Sequence, residues 1–593
     1  MPDADPGSRH IPSLDARDWY TPDTHLAWVV RRAVGEAVWP VAEAALSEAG
    51  RLVPQEIEPL VRVADRNPPV LHQYDGRGNR VDEIEFHPAY EKIEQTVLRF
   101  GVVHGAYATG WRGLPSRAPR PLISAVLYLF LQSDQSITGC PIGMMDAMAR
   151  CLERNDPDLA RRYVPRIAAD DGSHLRSAMF LTEKAGGSDV GANETTAVRA
   201  ENGAWRLYGE KWFASCPHSD LALVMARPEG SAAGVGGLGL FLMPRVLEDG
   251  SRNTFVVHRL KEKFGTHAMA SGEVGLRGAV AWPVGDLRRG MRQMMDMVQL
   301  TRVLISAAAA GAMRRNTFEA LSHTSRRTTF GARLDTHPLM RDTLAELVVD
   351  HTAALTALIG LSELVDAADA GDDEAAGALR VLTPLCKAHL TERARVTATD
   401  AMEVRGGNGY IEDWPEPRLL RDVYVHAIWE GSSNVIALDV LRAIARDAAP
   451  GFLSDLERHA RAASDGPMGP LGKWLIAQTD DLRETVAEIM TRSGDAQQIP
   501  LRRLTRRMAT LAIGARLAEQ AAEMARDDAN GRLGWIAARY LARLGGDATV
   551  ATIAEDIGWL AHADALLHGG PVPVSLAETA AQAATTALDN RTG

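Results

Sequence analysis

A chain of 593 residues exceeds the roughly 250–300 residues at which one hydrophobic core stops growing, so about three or four packed units are expected. With 46% hydrophobic and 24% charged residues, wholesale disorder is excluded. A net charge of −11 excludes global attraction to phosphate-rich partners and leaves nucleic acid only a local basic patch.

The stretch 1–19 is polar and acidic where an export signal needs a basic end followed by an apolar run. Over 24–175 apolar residues recur at threes and fours, as in 25–49 and 89–100, which predicts helices. Breaks fall at Arg66-Asn67-Pro68-Pro69 and Tyr74-Asp75-Gly76-Arg77-Gly78. The greasy run 122–131 is shorter than the roughly 20 residues that span a bilayer and reads as a buried helix, so no membrane association is expected. Near Met179 the pattern changes. β-prone runs at 205–208, 221–226, 238–243, 254–258 and 273–280 alternate with glycine and polar turns, which predicts a small antiparallel β unit. Helical periodicity returns near Gly290 and continues through 302–321, 339–367, 383–405 and 436–445. After Pro450-Gly451 an alanine- and arginine-rich stretch, 471–566, broken at Ser493-Gly494-Asp495 and ended by Gly569-Gly570-Pro571, predicts further helices. The reading is mainly α with a middle β domain: an N-terminal helical domain over 1–177, a β domain over 178–286, a helical bundle over 287–446 and an additional helical domain over 447–593. Cys140, Cys151, Cys216 and Cys386 form no C-x-x-C pair, so neither a disulfide framework nor a zinc site is signalled and a reducing cytoplasm is expected.

Four segments carry candidate chemistry. Leu181-Thr182-Glu183-Lys184-Ala185-Gly186-Gly187-Ser188-Asp189-Val190 sets two glycines between hydroxyl side chains, a loop able to bring backbone N–H groups to a phosphate or a flavin edge, or equally a tight surface turn. Lys211-Trp212-Phe213-Ala214-Ser215 offers an aromatic body and a hydroxyl at a strand end, or a core aromatic pair. Met402-Glu403-Val404-Arg405-Gly406-Gly407-Asn408-Gly409-Tyr410 permits close backbone approach to a ligand, or caps a helix. Ile428-Trp429-Glu430-Gly431-Ser432-Ser433-Asn434 puts a carboxylate between tryptophan and glycine where a helix opens. If buried, Glu430 would rise from about 4.3 toward about 6–7, suited to a general base; otherwise it favours the helix N-terminus.

Together these segments resemble the acyl-CoA dehydrogenase superfamily in order and spacing over about 179–442. Arg327-Thr328-Thr329-Phe330-Gly331 is similar to the family's Arg-x-x-Phe-Gly segment, and Thr301-Arg302 resembles its helix arginine. Asn67-Pro68-Pro69, Phe86-His87-Pro88-Ala89 and Cys140-Pro141-Ile142 place the resemblance nearest the alkylation-response (AidB-like) branch. The resemblance implies an acyl-CoA dehydrogenase-like fold with an N-terminal helical domain, an antiparallel β domain, a C-terminal four-helix bundle and an extra C-terminal helical domain. It implies FAD as cofactor, Glu430 as base with Arg302 as its companion, and cofactor contacts at Leu181, Thr182, Gly187, Ser188, Trp212, Phe213, Ala214, Ser215, Arg327, Phe330, Glu403, Gly406, Gly407, Trp429, Gly431, Ser432 and Asn434. It also implies a homotetramer with FAD at a subunit interface, and an acyl substrate such as a CoA thioester. Gln299 stands where straight-chain members often carry an aspartate that helps hold the CoA end, and His267 where members commonly have arginine, so both departures bear on the CoA substrate.

Arg502, Arg503, Arg506 and Arg507 form one basic helix face, either solvated and paired with acids or, with Arg442, in contact with DNA phosphates. Gly234-Val235-Gly236-Gly237-Leu238-Gly239 spells a dinucleotide fingerprint but leads into a strand, so it reads as a turn. Scattered histidines propose no metal. Three chemistries follow: dehydrogenation at the CH–CH bond of an acyl-CoA or related acyl substrate, by α-proton abstraction and hydride transfer to flavin; a flavin-containing DNA-binding alkylation-response role with weak dehydrogenase activity; and a flavin oxidase or monooxygenase.

Overall fold

The computed structural model describes residues 17–201, 203–546 and 557–592; most of the polar N-terminal stretch, on which the export reading rests, lies outside the described residues. The chain divides into two compact units, a sheet-bearing one from 52–119 and 133–304, and a helical one from 1–51, 120–132 and 305–593.

In the sheet-bearing unit, Asn67-Pro68-Pro69 ends the helix Glu58–Arg66, as expected where proline restricts the residue before it. The chain then forms a β-hairpin, Val70–Tyr74 with Arg80–Glu85, in a region predicted to be a helical break. Asp75 builds its turn by accepting the N–H groups of Arg77 and Asn79, both at 2.8 Å. The hairpin is fastened by Gln73 Nε2 donating to His258 O at 2.9 Å and by buried Asp82, which accepts Arg252 Nη2 at 2.7 Å.

The seven-stranded sheet contains all five predicted runs and two strands of four residues that were not predicted, Ser177–Phe180 and Thr196–Arg199. Both of these pair in parallel with Leu221–Pro228, which corrects the wholly antiparallel expectation at two places. Parallel neighbours need a long crossover, and the strands between them supply it. The remaining pairings are antiparallel, the longest joining Trp205–Ser215 to Ser271–Pro283.

In the helical unit, the greasy run up to Phe130 lies in the helix Arg120–Phe130, every residue of which is buried, and its last residue, Leu131, is buried in the turn that follows. Pro338–Asp369 is long and apolar enough to cross a membrane, but 94% of its apolar window is buried inside the protein, so it is a core helix. It meets Asp373–Arg405 and Arg532–Ala542 through an ion cluster in which Asp350 accepts Arg393 at 2.7 Å and Glu346 accepts Arg539 at 2.5 Å. The added C-terminal region is helical as predicted, with helices Ala449–Ala462, Gly469–Thr491, Leu501–Asp527, Arg532–Ala542 and Val574–Thr592.

Candidate active site

On the sheet-bearing unit, the loop after Ser177–Phe180 is tied down from beneath. Glu183 is buried and ion-paired with buried Lys211 at 2.6 Å; it also accepts the N–H of Glu194 at 2.7 Å. Burial pushes the Glu183 carboxyl up, but Lys211 and these hydrogen bonds outweigh it and hold it below the usual carboxylate range. Lys211 also donates to Met225 O at 2.8 Å, and Trp212 N donates to Thr182 O at 2.9 Å, so loop and strand form one piece. Above this anchor Gly187 and Ser188 are exposed, and a Cβ on Gly187 would stand 2.7 Å from Thr182 Oγ1.

The strand Trp205–Ser215 loses register with its neighbour between Lys211 and Ala214. Such a bulge re-aims side chains, and here it leaves Phe213 55% exposed while Ala214 is buried. The Lys261 ammonium sits 3.7 Å from the Trp212 ring centroid and 4.7 Å from that of Phe213. Arg302 is buried in the part of the helix Gly290–Thr324 that belongs to this unit. His267 faces Asp65 at 3.3 Å.

On the helical unit, the segment 327–331 supplies the first strand and the tip of a two-strand hairpin, Thr328–Thr329 with Ala332–Arg333. Phe330 (φ 50°) and Gly331 (φ 80°) make its tip, and the phenyl ring is 99% exposed. Gly406 (φ 70°) ends the helix Asp373–Arg405, so the C-cap reading is correct; the short helix Gly406–Tyr410 follows. Its base is fixed by buried Arg405, which pairs with Glu319 at 2.7 Å and with Glu416 and lies over Trp414. Burial, with Glu319 adding, pushes the Glu416 carboxyl up to about 7. Glu403, Gly406 and Gly407 are exposed, and a Cβ on either glycine would meet nothing within 4 Å.

Glu430 occupies a turn after the helix Glu416–His426, three residues before the start of the helix Ser433–Ile444 it was expected to open. It is half-buried rather than buried, which corrects the premise of the pKa expectation. Its φ of 54° is a left-handed conformation that non-glycine residues rarely adopt, and Gly431 follows at φ 116°. The buried Lys387 ammonium donates to Gly431 O at 2.7 Å and pins the turn. Trp429 Nε1 is buried without a hydrogen-bond partner among the described residues, while Ser432 and Asn434 are exposed. Sequence reasoning missed Lys387 and Lys261; the one available signal for Lys387 was a lone lysine within the apolar face of a long helix.

Of the arginine face, Arg506 pairs with Glu392 at 2.6 Å and Arg507 with Asp481 at 2.5 Å, while Arg442, Arg502 and Arg503 are exposed.

Residues 288–445 match the family model for the acyl-CoA dehydrogenase C-terminal domain, 178–279 that for the middle domain, and 10–171 that for the adaptive response protein AidB N-terminal domain. Acyl-CoA dehydrogenase family member 11 of Caenorhabditis elegans is 35% identical over 71% of this chain and 70% of its own length. The chain belongs to the acyl-CoA dehydrogenase family. As a family member it is an oxidoreductase of the FAD-dependent acyl-CoA dehydrogenase type. The putative acyl-CoA dehydrogenase AidB of Escherichia coli K12 is 36% identical over 66% of this chain and 71% of its own length, which supports the AidB-like assignment. The solved structure of Caenorhabditis elegans ACDH-11 in complex with C11-CoA superimposes with a TM-score of 0.82 at 29% identity, covering 91% of this chain and 93% of that one. The glycine loop, the bulged strand, the hairpin tip and the Glu430 turn all lie within the two acyl-CoA dehydrogenase domain matches.

Proposed function

We propose that this acyl-CoA dehydrogenase family member oxidises the Cα–Cβ bond of an acyl-CoA thioester, with Glu430 as the base. The carrying observation is the Glu430 turn, a half-buried carboxylate held at a left-handed φ of 54° and pinned through the next carbonyl by Lys387. A conformation of this kind costs about 1–3 kcal/mol and persists where the surroundings enforce it, as at catalytic residues.

The residues present fit FAD. The backbone at Gly406 and Gly407 faces open space, Trp429 offers a buried N–H with no partner among the described residues, and Phe213 presents an exposed ring on a bulge. On the sheet-bearing unit, Leu181, Thr182, Gly187, Ser188, Trp212, Phe213, Ala214 and Ser215 would hold the cofactor; on the helical unit, Arg327, Phe330, Glu403, Gly406, Gly407, Trp429, Gly431, Ser432 and Asn434 would do so. Bound FAD supplies a two-electron acceptor for the substrate. Glu430 takes the α-proton of the thioester as its carboxylate, and Arg302 supplies positive charge to the site. Lys387 keeps the Glu430 turn in register.

The exposed Phe330 tip is read as an arm reaching a second copy, in a cytoplasmic homotetramer with FAD shared between subunits. The four-domain division at 177, 286 and 446 belongs to the same reading. The DNA-contact reading rests on the arginine face alone, and acids already neutralise two of its four members. Mixing the purified holoprotein anaerobically with straight and branched saturated acyl-CoAs tests the proposal. Bleaching of the flavin band by at least one of them is expected; no bleaching across the panel contradicts it.

A further inference from the structure

The helical unit contains a cavity of about 280 Å³ outside every segment assigned above. Its wall brings together the first turns of the helices Thr24–Val34 and Arg532–Ala542, the later part of Gly290–Thr324, the middle of Pro338–Asp369 and the end of Ala563–His568. The charges in this wall do not cancel. Among the described residues Asp23 is its only lining carboxylate, and it is engaged: it meets Arg314 Nε at 3.2 Å, accepts the Tyr128 hydroxyl at 2.8 Å and caps its helix through Leu26 N at 3.2 Å. Burial pushes its carboxyl up, but Arg314 and its other partners hold it below the usual carboxylate range, so it is ionised and matched to Arg314.

Arg532 has no such match. It is 5% exposed, and among the described residues its one side-chain hydrogen bond runs from Nε to Leu566 O at 3.0 Å. Among the described residues no carboxylate lies within ion-pairing distance of it. Asp335 and Asp564 act on His568, at the cavity wall, and not on Arg532. Burial pulls the Arg532 guanidinium down to about 10 against the attraction of Asp23, which Arg314 repulsion partly offsets, and this still leaves it protonated at neutral pH. His25 and His351 are pushed by burial to about 4 and about 3, so they stand in the wall as neutral rings. Among the described residues the buried wall therefore carries one surplus positive charge, to which the N-terminal dipoles of two 11-residue helices add, and exposed Arg326 lies at its edge. A second observation points to a ligand: His25 Nδ1 and Ser322 Oγ, on side chains 3% and 9% exposed, have no hydrogen-bond partner among the described residues.

We propose that this cavity binds a small organic anion, with Arg532 and Arg314 holding a carboxylate or phosphate head, His25 and Ser322 completing its hydrogen bonds, and Phe318, Leu321 and Leu567 taking a short apolar body. An uncompensated buried guanidinium is costly, and a bound anion removes that cost. The volume lies just below the roughly 300–1,000 Å³ of drug-sized ligand pockets, which sets the size of the guest at a few carbons and excludes a CoA thioester.

Calorimetric titration of the full-length holoprotein at low ionic strength with inorganic phosphate, acetate and butyrate tests the proposal. Saturable binding of at least one of these, one per chain, is expected. The tighter of phosphate and carboxylate identifies the head group, and a preference for butyrate over acetate confirms the apolar end. Arg532→Gln is expected to weaken binding at least tenfold. Because replacing a buried arginine can disturb folding, Ser322→Leu provides an independent variant that fills the cavity and leaves the Asp23–Arg314 pair intact; it too is expected to lose binding while keeping FAD content and flavin bleaching. Absence of saturable heat with all three anions, or binding unchanged in Ser322→Leu, overturns the proposal.

Discussion

At Glu430 the chain accepts a backbone conformation that glycine would adopt without strain, and it does so beside a glycine, which places the carboxylate rather than the chain's comfort as the selected feature. Lys387 holds that geometry, so Lys387→Met is expected to slow flavin bleaching about tenfold or more while FAD content stays at the wild-type level. Stopped-flow absorbance checks this, and an unchanged rate would assign Lys387 a purely packing role. The pair Glu183 and Lys211 is different in kind, because both groups are buried and each is the other's compensation. Removing one leaves an unpaired buried charge, so Lys211→Met is expected to cost about 3–5 kcal/mol in urea unfolding, and the double replacement Glu183→Leu with Lys211→Met less than either single one. The motif segments stood out in the sequence because glycines, aromatics and a carboxylate at fixed spacing have few purely structural explanations in combination. Lys387 and Lys261 were not, because a lysine's role depends on which carbonyl or ring the fold brings to it.

At the scale of elements, long helices were legible and short strands were not. Helices such as Pro338–Asp369 repeat their apolar pattern over many turns, whereas Ser177–Phe180 and Thr196–Arg199 are four residues long and pair with partners distant in sequence. The hairpin Val70–Tyr74 with Arg80–Glu85 was hidden by its polar composition; its stability comes from hydrogen bonds to the strand Phe255–Leu260 and the buried Asp82, which sequence periodicity does not report. The long helices are joined by ions as well as by apolar packing. Burial alone pushes the Asp350 carboxyl up, yet Arg543 and Arg393 outweigh it and bring it down to about 2. A folded-state value below the unfolded one, about 3.9, means that this stabilisation is present in full above about pH 4 and is lost as the pH falls toward 2. Acid unfolding followed by circular dichroism is therefore expected to steepen between those values. Asp350→Asn is expected to be less stable at neutral pH by about 2–3 kcal/mol and to lose part of that steepness; an identical acid profile would show that the cluster contributes nothing.

At the scale of the whole molecule, three family-domain matches cover 10–171, 178–279 and 288–445, and the helices beyond carry Arg532 of the proposed anion cavity. Phe330 stands 99% exposed on a hairpin tip, where the proposed assembly would bury its ring. Phe330→Asp is expected to shift the protein to smaller assemblies in light-scattering chromatography and to lower bound FAD; a wild-type assembly state with full FAD would remove the proposed arm. The central claim is that Glu430 removes the α-proton of an acyl thioester. Its most direct test is the anaerobic stopped-flow rate of flavin bleaching by the best acyl-CoA, in wild type and in Glu430→Gln with FAD content matched. A loss of about 100-fold or more in Glu430→Gln, within the usual contribution of a general base, is the predicted result. Equal rates in the two proteins would contradict the account.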